Sequence, residues 1–362
     1  MEGGVAAAQA GHDVIMTPLQ HVYFDFYQSH SIDEPPAIHG LTRLADVYRF
    51  NPVPEELPPA QRKYILGAQG DLWTEYVPDA ATAERMILPR MSALAEVLWT
   101  PQDRRTFDDF SSRLPGFEKF LLASGYRPSD AHYKPHLQAR ASADGGFTIS
   151  MESLSPEIRY TTDGTVPDRD SAVYRGPFNT AGDISVRAAA LRPDGALLGA
   201  ERLSLVDHIG RDASTYPGQA PQAGRGDFAA VLVDGRIGTD RIFAYPLWQS
   251  FSAEEGADVV FVWPEAVTVR SLDIGVEAGH HRRMHRPTEL TLERGDAAGR
   301  WVMLAALSGD EITAAGKRIQ VSFDPVQVTR LRLRLGNRQR VWSEEQGGDV
   351  VPPLRLDEVI IR

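Results

Sequence analysis

The spacing of apolar residues changes once along this chain, near Pro128, and does not change back. Before that point Met86, Ile87, Met91, Leu94, Val97 and Leu98 recur with a period of about 3.6, which predicts a helix over 80–99. Pro89 lies inside it and should kink or restart it. Phe107, Phe110, Leu114, Phe117 and Leu121 predict a second helix over 107–123, closed by Gly125. A third helical spacing covers 40–48, and the Pro-rich stretch 52–59 reads as a loop. Short apolar runs at 13–17 and 64–69 have the look of buried strands. Strand, helix, strand, helix is the order of a parallel α/β fold. Two strands alone cannot close a barrel or shield both faces of a sheet. The expectation is an α/β part that is incomplete by itself and exposes apolar surface.

After Pro128 the period is two. Phe147–Ser150 and Glu157–Thr162 lead to Asp163-Gly164, and Ile184–Leu191 leads to Asp194-Gly195. Asp-Gly between alternating runs predicts hairpins, and so a small β-sandwich over 140–207. Residues 208–226, rich in Gly, Pro, Ala and Gln, read as a linker. From 227 to 362 alternating segments at 259–263, 267–274, 289–294, 301–307, 318–323, 329–335 and 354–361 predict a second β-sandwich.

The two early strands matter for function because of the residues just beyond their ends. The first run leads into Tyr23, Phe24, Asp25, Phe26 and Tyr27, and the second into Asp71, Leu72, Trp73 and Glu75. Parallel strands deliver polar groups to a site at their C-terminal ends. Residues 2–10 read as the end of a helix with Gly11 after it, which gives the segment a truncated start.

Composition removes other classes. With no cysteine there is no disulfide, thiolate nucleophile or cysteine-ligated metal. A net charge of -11 disfavours nucleic acid or an anionic membrane as the main partner. No apolar run is long enough to span a bilayer, and residues 1–20 lack the basic and apolar regions of a signal peptide. Ten histidines without a metal-ligand spacing predict no metal site, and His280-His-Arg-Arg-Met-His285 reads as a solvated loop. Gly3-Gly4 is no phosphate loop, because no strand precedes it and no lysine comes after it.

Four segments carry a resemblance: Gly11-His-Asp-Val-Ile-Met-Thr-Pro18, Tyr23-Phe-Asp-Phe-Tyr-Gln28, Gly67-Ala-Gln-Gly-Asp-Leu-Trp-Thr-Glu75 and Leu88-Pro-Arg-Met-Ser-Ala-Leu-Ala-Glu-Val-Leu-Trp99. In this order they resemble the C-terminal quarter of the catalytic barrel of family 20 glycoside hydrolases, the β-N-acetylhexosaminidases. Ile158-Arg-Tyr-Thr-Thr-Asp-Gly164, with Pro167, Tyr174 and Gly176-Pro177, is similar to the small β module found after that barrel in many bacterial members. Leu232-Val-Asp-Gly235, Trp248-Gln249, Arg286-Pro287 and Leu356-Asp-Glu-Val-Ile-Ile361 resemble a discoidin-like sandwich. The implied architecture is a partial (β/α)8 barrel over 1–127, holding its last two strands and helices, followed by two all-β sandwich modules.

The resemblance implies a substrate-assisted, retaining hydrolysis of terminal non-reducing N-acetylhexosamine, with no cofactor. The sugar's 2-acetamido carbonyl attacks C1, an aspartate orients the acetamide, and the adjacent glutamate protonates the leaving oxygen. In the family that pair sits in a His-x-Gly-Gly-Asp-Glu type motif. This sequence has none, and its Asp-Glu pairs at 33–34, 310–311 and 357–358 lie in other contexts. By resemblance Tyr23 bonds the acetamido carbonyl, Asp25 and Glu75 accept from sugar hydroxyls, and Trp73 stacks on the sugar's apolar face. The chain alone is then expected to be inactive. The partners are N-acetylhexosamine-terminated glycans or chitooligosaccharides, and the complete protein is periplasmic or secreted. The rival reading is a non-catalytic carbohydrate-binding accessory protein working through its sandwiches, with Tyr245 and Trp248 as a sugar platform.

Overall fold

The structure is a computed structural model describing residues 1–31, 33–142, 145–192, 196–218, 229–238, 248–251, 256–277, 286–313, 317–336, 340–343, 348–350 and 354–362. The chain divides into two compact units. One holds Met1–Gln138, Ile149–Phe178 and Val186–Arg202; the other holds Ala139–Thr148, Asn179–Ser185 and Leu203–Arg362. The expected small module of 140–207 is thus shared between the units.

In the first unit, helix α1 (Glu2–Gln9) ends before Gly11, whose φ of 86° is the left-handed value that a glycine after a helix supplies. Gly4 lets α1 approach strand β1 (Val14–Met16): a Cβ there would sit 2.5 Å from Met16 Sδ. Next come α2 (Leu19–Val22), β2 (Phe26–Tyr27), β3 (Ile38–Leu41), α3 (Leu44–Tyr48) and β4 (Ile65–Ala68). β1 and β4 are parallel, pairing Val14 with Ile65, Ile15 with Gly67 and Met16 with Ala68. β2 and β3 form a second, unanticipated parallel pair, so the helical spacing at 40–48 is helix only from Leu44.

The predicted 80–99 helix is two helices, α4 (Ala80–Ile87) and α5 (Arg90–Trp99), broken at Pro89 after a cis peptide bond. Asp79 caps α4 by accepting the Thr82 N–H at 2.7 Å. Thr106 caps α6 (Phe107–Ala123) in the same way through Asp109 N–H. Met16, Val22, Leu44, Leu94, Val97 and Phe110 form the heart of this unit's core, so the strands pack their inner face on α3, α5 and α6.

The β module contributes β5 (His136–Ala141), β6 (Phe147–Glu152), β7 (Glu157–Thr161), β8 (Ala172–Val173), β9 (Phe178–Thr180), β10 (Ile184–Leu191) and β11 (Leu197–Leu205). β7 pairs antiparallel with β10 and with β8. The Asp163-Gly164 signal is therefore no two-residue hairpin. Asp163 accepts from Thr165 N–H and Oγ1, turning the chain locally inside a longer excursion before β8. Asp194-Gly195 lies outside the described residues.

In the second unit β12 (Ser214–Pro217), β13 (Arg236–Ile237), β14 (Gln249–Phe251), β15 (Ala257–Val276), β16 (Glu289–Gly295), β17 (Trp301–Ser308), β18 (Arg318–Gly336), β19 (Val341–Ser343), β20 (Gly348–Val350) and β21 (Leu354–Ile361) complete the chain. One hydrogen-bonded ladder runs β14-β21-β15-β18-β16-β17, with β12 also on β15. Four expected strands are thus two long ones. Pro264 and Pro325 fall where the β15–β18 register shifts, between Val262 and Val267 and between Val269 and Ser271. Proline marks bulges here, not strand ends.

The linker expectation fails over its first half. Ser214–Pro217 pairs antiparallel with Val259–Val262, and Thr215 is buried. The surrounding Gly, Pro and Ala masked a short alternation. Residues 219–226 lie outside the described ones.

Candidate functional site

The two parallel strands do not deliver their site residues directly. After Met16 the chain makes the helical turn α2 and rejoins the second stretch at Tyr23, which bridges Asp71 in parallel register. Asp71 N–H donates to Val22 O at 2.8 Å, and Phe24 N–H donates to Asp71 O at 2.6 Å. Tyr23 and Asp71 are therefore stitched together beyond the strands. Gly70 makes room for this: a Cβ there would meet the buried Phe24 ring at 2.6 Å. The chain then turns at Phe24–Asp25, so Tyr23 and Asp25 do not lie two residues apart on one extended strand.

Arg90, the first residue of α5, holds that turn. Its buried guanidinium donates to Phe24 O, Phe26 O, Thr42 O and Met86 O, and lies 5.0 Å from the Phe24 ring centroid. Burial pulls its pKa down to about 9, against the opposing charges of Glu34 and Asp25. Arg90 was not among the sequence candidates. A cation at a helix N-terminus opposes the macrodipole, and that anomaly inside the Leu88-Pro-Arg motif was the available signal.

Asp25 is 4% exposed, and no described residue donates to its Oδ1. Burial holds its carboxyl above the usual carboxylate range; its own backbone N–H opposes this, the Glu75 and Asp71 charges add to it, and Arg90 offsets part. Tyr23 is half-buried, its ring 5.5 Å from that of Phe26. Trp73 is 57% exposed and Glu75 is exposed, two and four residues past Asp71. Asp71 Oδ1 accepts from Gln69 Nε2 at 2.7 Å. The result is a group of three carboxylates beside a phenol and an exposed indole. One carboxylate oxygen among them is buried with its acceptor capacity unused.

Some side chains elsewhere have visible packing partners, and some of the sandwich candidates fall outside the description. His21 Nδ1 lies 2.8 Å from Asp46 O and its ring stacks on Phe50. Trp248 is half-buried against Gly238, where a Cβ would lie 2.7 Å from the indole. Tyr245 and His280–His285 lie outside the described residues. Among the described residues no helix is long and apolar enough to cross a membrane.

A few polar and aromatic side chains brought together at the end of an α/β segment make a candidate small-molecule site. Residues 2–102 match the glycosyl hydrolase family 20 catalytic domain, and residues 147–197 match the Fn3 associated family. A β-hexosaminidase of Porphyromonas gingivalis is 46% identical over 187 residues, covering 50% of this chain and 24% of that protein. A β-N-acetylhexosaminidase of Cellulomonas fimi is 34% identical over 123 residues, 34% of this chain and 25% of that protein. Among solved structures, the family 20 exo-β-N-acetylglucosaminidase of Vibrio harveyi in complex with N-acetylglucosamine is 31% identical, with 36% of this chain and 21% of that chain covered at a TM-score of 0.33. The chain spans about a quarter of the length of each of these two curated relatives. The similarity to the family 20 catalytic domain lies in the first hundred residues.

Proposed function

We propose that this chain supplies part of the sugar pocket of a β-N-acetylhexosaminidase that removes terminal N-acetylhexosamine from glycans or chitooligosaccharides. The buried, unpartnered Asp25 Oδ1 beside Glu75 and Tyr23 carries the reading. An acceptor left unsatisfied in a dry position is costly, and a sugar hydroxyl would satisfy it. Tyr23 donates to the acetamido carbonyl as it attacks C1, steadying the charge that develops there. Asp25 and Glu75 accept from hydroxyls, and Trp73 stacks on the sugar's apolar face. The Asp-Glu pair that orients the acetamide and protonates the leaving oxygen comes from sequence outside these 362 residues. The complete enzyme works in the periplasm or outside the cell, and this chain alone is inactive.

The test starts from the coding DNA upstream of Met1. An open frame encoding a His-x-Gly-Gly-Asp-Glu type motif allows the longer protein to be made and assayed on an aryl N-acetyl-β-glucosaminide. Tyr23→Phe is then expected to lower kcat by ~10²-fold, the scale of one oxyanion-type donor. A closed frame with no activity in the chain, or wild-type rates in both Tyr23→Phe and Asp25→Asn, rejects the proposal.

A further inference from the structure

None of the residues of the strand-end cluster takes part in a second polar group within the first unit. His30 lies just after β2, His136 opens β5, and Glu201 lies on β11. His30 Nδ1 is 3.2 Å from Glu201 Oε1, and His136 Nδ1 is 3.9 Å from Glu201 Oε2. The two imidazole centroids are 5.4 Å apart. One ligand atom from each of the three residues lies within 4.8 Å of the others. All three line a cavity of about 130 Å³.

Charge makes the arrangement unusual. Glu201 is buried, and among the described residues no lysine or arginine pairs with it. The cations on the same cavity wall are already matched. Lys134 Nζ bonds Glu34 Oε1 at 3.1 Å, and Arg43 bonds both Asp46 oxygens at 3.0 and 3.1 Å. A buried carboxylate needs a countercharge. Among the described residues its Oε2 accepts only the Leu137 N–H at 3.3 Å, a contact that fixes the carboxylate's orientation without neutralising it. His30 Nε2 is buried with no partner among the described residues. Two imidazoles and one carboxylate are the donor set that zinc accepts, with an open position for water. Tetrahedral zinc with bonds of ~2.0–2.1 Å sets its ligand atoms about 3.4 Å apart. His30 Nδ1 and Glu201 Oε1, 3.2 Å apart, lie close to that spacing, and His136 Nδ1 stands somewhat wider, 3.9 Å from the other carboxylate oxygen.

We propose that His30, His136 and Glu201 bind one divalent cation of the zinc class, with water from the cavity completing its shell. The ion clasps the segment after β2 to β5 and β11. It thereby holds the stretch that begins five residues beyond Asp25. Its role is structural.

The full chain, stripped with a chelator, would be titrated with Zn²⁺ against a chromogenic chelator and with Co²⁺ followed by visible absorption. One ion per chain is expected, together with a rise in Tm that added chelator reverses. His136→Gln and Glu201→Gln should each weaken uptake at least tenfold, while exposed His12→Gln leaves it unchanged. Circular dichroism establishes that the variants fold; if either does not, the chelator-reversible Tm shift of the unsubstituted chain decides. No stoichiometric uptake, uptake that survives in both folded variants, or a Tm indifferent to Zn²⁺ overturns the proposal.

Discussion

The β1–β4 pair and the β15–β18 pair are both ladders of apolar strands, yet they treat their two faces differently. In β18 Leu331, Leu333 and Leu335 turn inward, while the alternate residues are charged and matched. Arg332 bonds both Asp258 oxygens, Arg334 pairs with Glu293, and Arg330 and Arg332 lie over the Trp301 ring. In β1 and β4 both faces are apolar. Val14, Met16, Ile65 and Ala68 pack on the helices, but Ile15 and Leu66 on the other face are 57% and 64% exposed. Antiparallel sheets finish one face with charge, whereas parallel strands are built to be covered on both. The second unit satisfies itself by this criterion; the strand pair of the first does not.

Arg90 gives the largest expected effect. The first unit ties its strand-end turn with a guanidinium buried among four backbone carbonyls. Arg90→Met should cost ~3–5 kcal/mol, because four carbonyls lose their donor in a dry site. Urea titration with hydrogen exchange resolved by unit checks this, and Arg90→Lys should not rescue it. A loss under ~1 kcal/mol would mean that water replaces the guanidinium and the turn holds itself.

Leucine truncation sharpens the contrast between the ladders. Leu333→Ala should cost ~2–5 kcal/mol as a cavity in a closed core. Leu66→Ala should stay within ~0.5 kcal/mol, and Leu66→Ser should reduce self-association in sedimentation. Equal costs at the two positions would show that Leu66 is covered in solution.

The difference between the ladders also explains what the sequence made legible. Helical periodicity, Pro89, Gly11 and Gly125 act through local geometry, so the helices and their ends could be read. Strand ends in the second unit could not, because Pro264 and Pro325 break the alternation without ending the pairing. Tyr23, Asp25, Trp73 and Glu75 were singled out by motif order. The helical turn that carries Tyr23 to Asp71, and the part Arg90 plays beneath it, depend on contacts between distant residues. The same holds for His30, His136 and Glu201, which no spacing rule connects.

Acid should separate the units next. In the second, His208 Nδ1 accepts the N–H groups of Gly210 and Ile361, while Nε2 lies 2.6 Å from Glu358 Oε1. The ring therefore has no free lone pair for a second proton. Burial, with the charges of Arg211 and Arg362, pulls its pKa down to about 4 from 6.5. The unfolded chain then binds the proton more readily, so stability is full above 6.5 and is lost as pH falls toward 4. The loss is at most ~3 kcal/mol. Glu358 acts with the opposite sign: burial and the Asp234 charge raise its pKa, so its contribution is lost as pH rises through the folded value. The second unit should show a stability maximum between these limits, and His208→Gln should flatten the acid limb of its Tm profile. An unchanged acid limb would mean that His208 takes up its proton equally in the folded and the unfolded chain.

A smaller effect than that of acid tests the strand-end cluster itself. Asp25 sits where burial and the Glu75 charge both disfavour its ionised form. Its folded pKa is raised, so the stability it contributes is present below the unfolded value and lost as pH rises through the folded one. Asp25→Asn removes the charge and keeps an acceptor. It should therefore stabilise the first unit by ~0.5–1 kcal/mol at neutral pH, with the gain shrinking on acidification as the wild-type carboxyl takes up its proton. Tm measured for both chains from pH 4 to 8 reads this directly. A residue kept only to cap its turn would give the reverse, with Asn less stable at pH 7 and the gap widest there. Stabilisation on losing the charge would identify Asp25 as held against the fold's own preference, which is the mark of a group retained for a ligand.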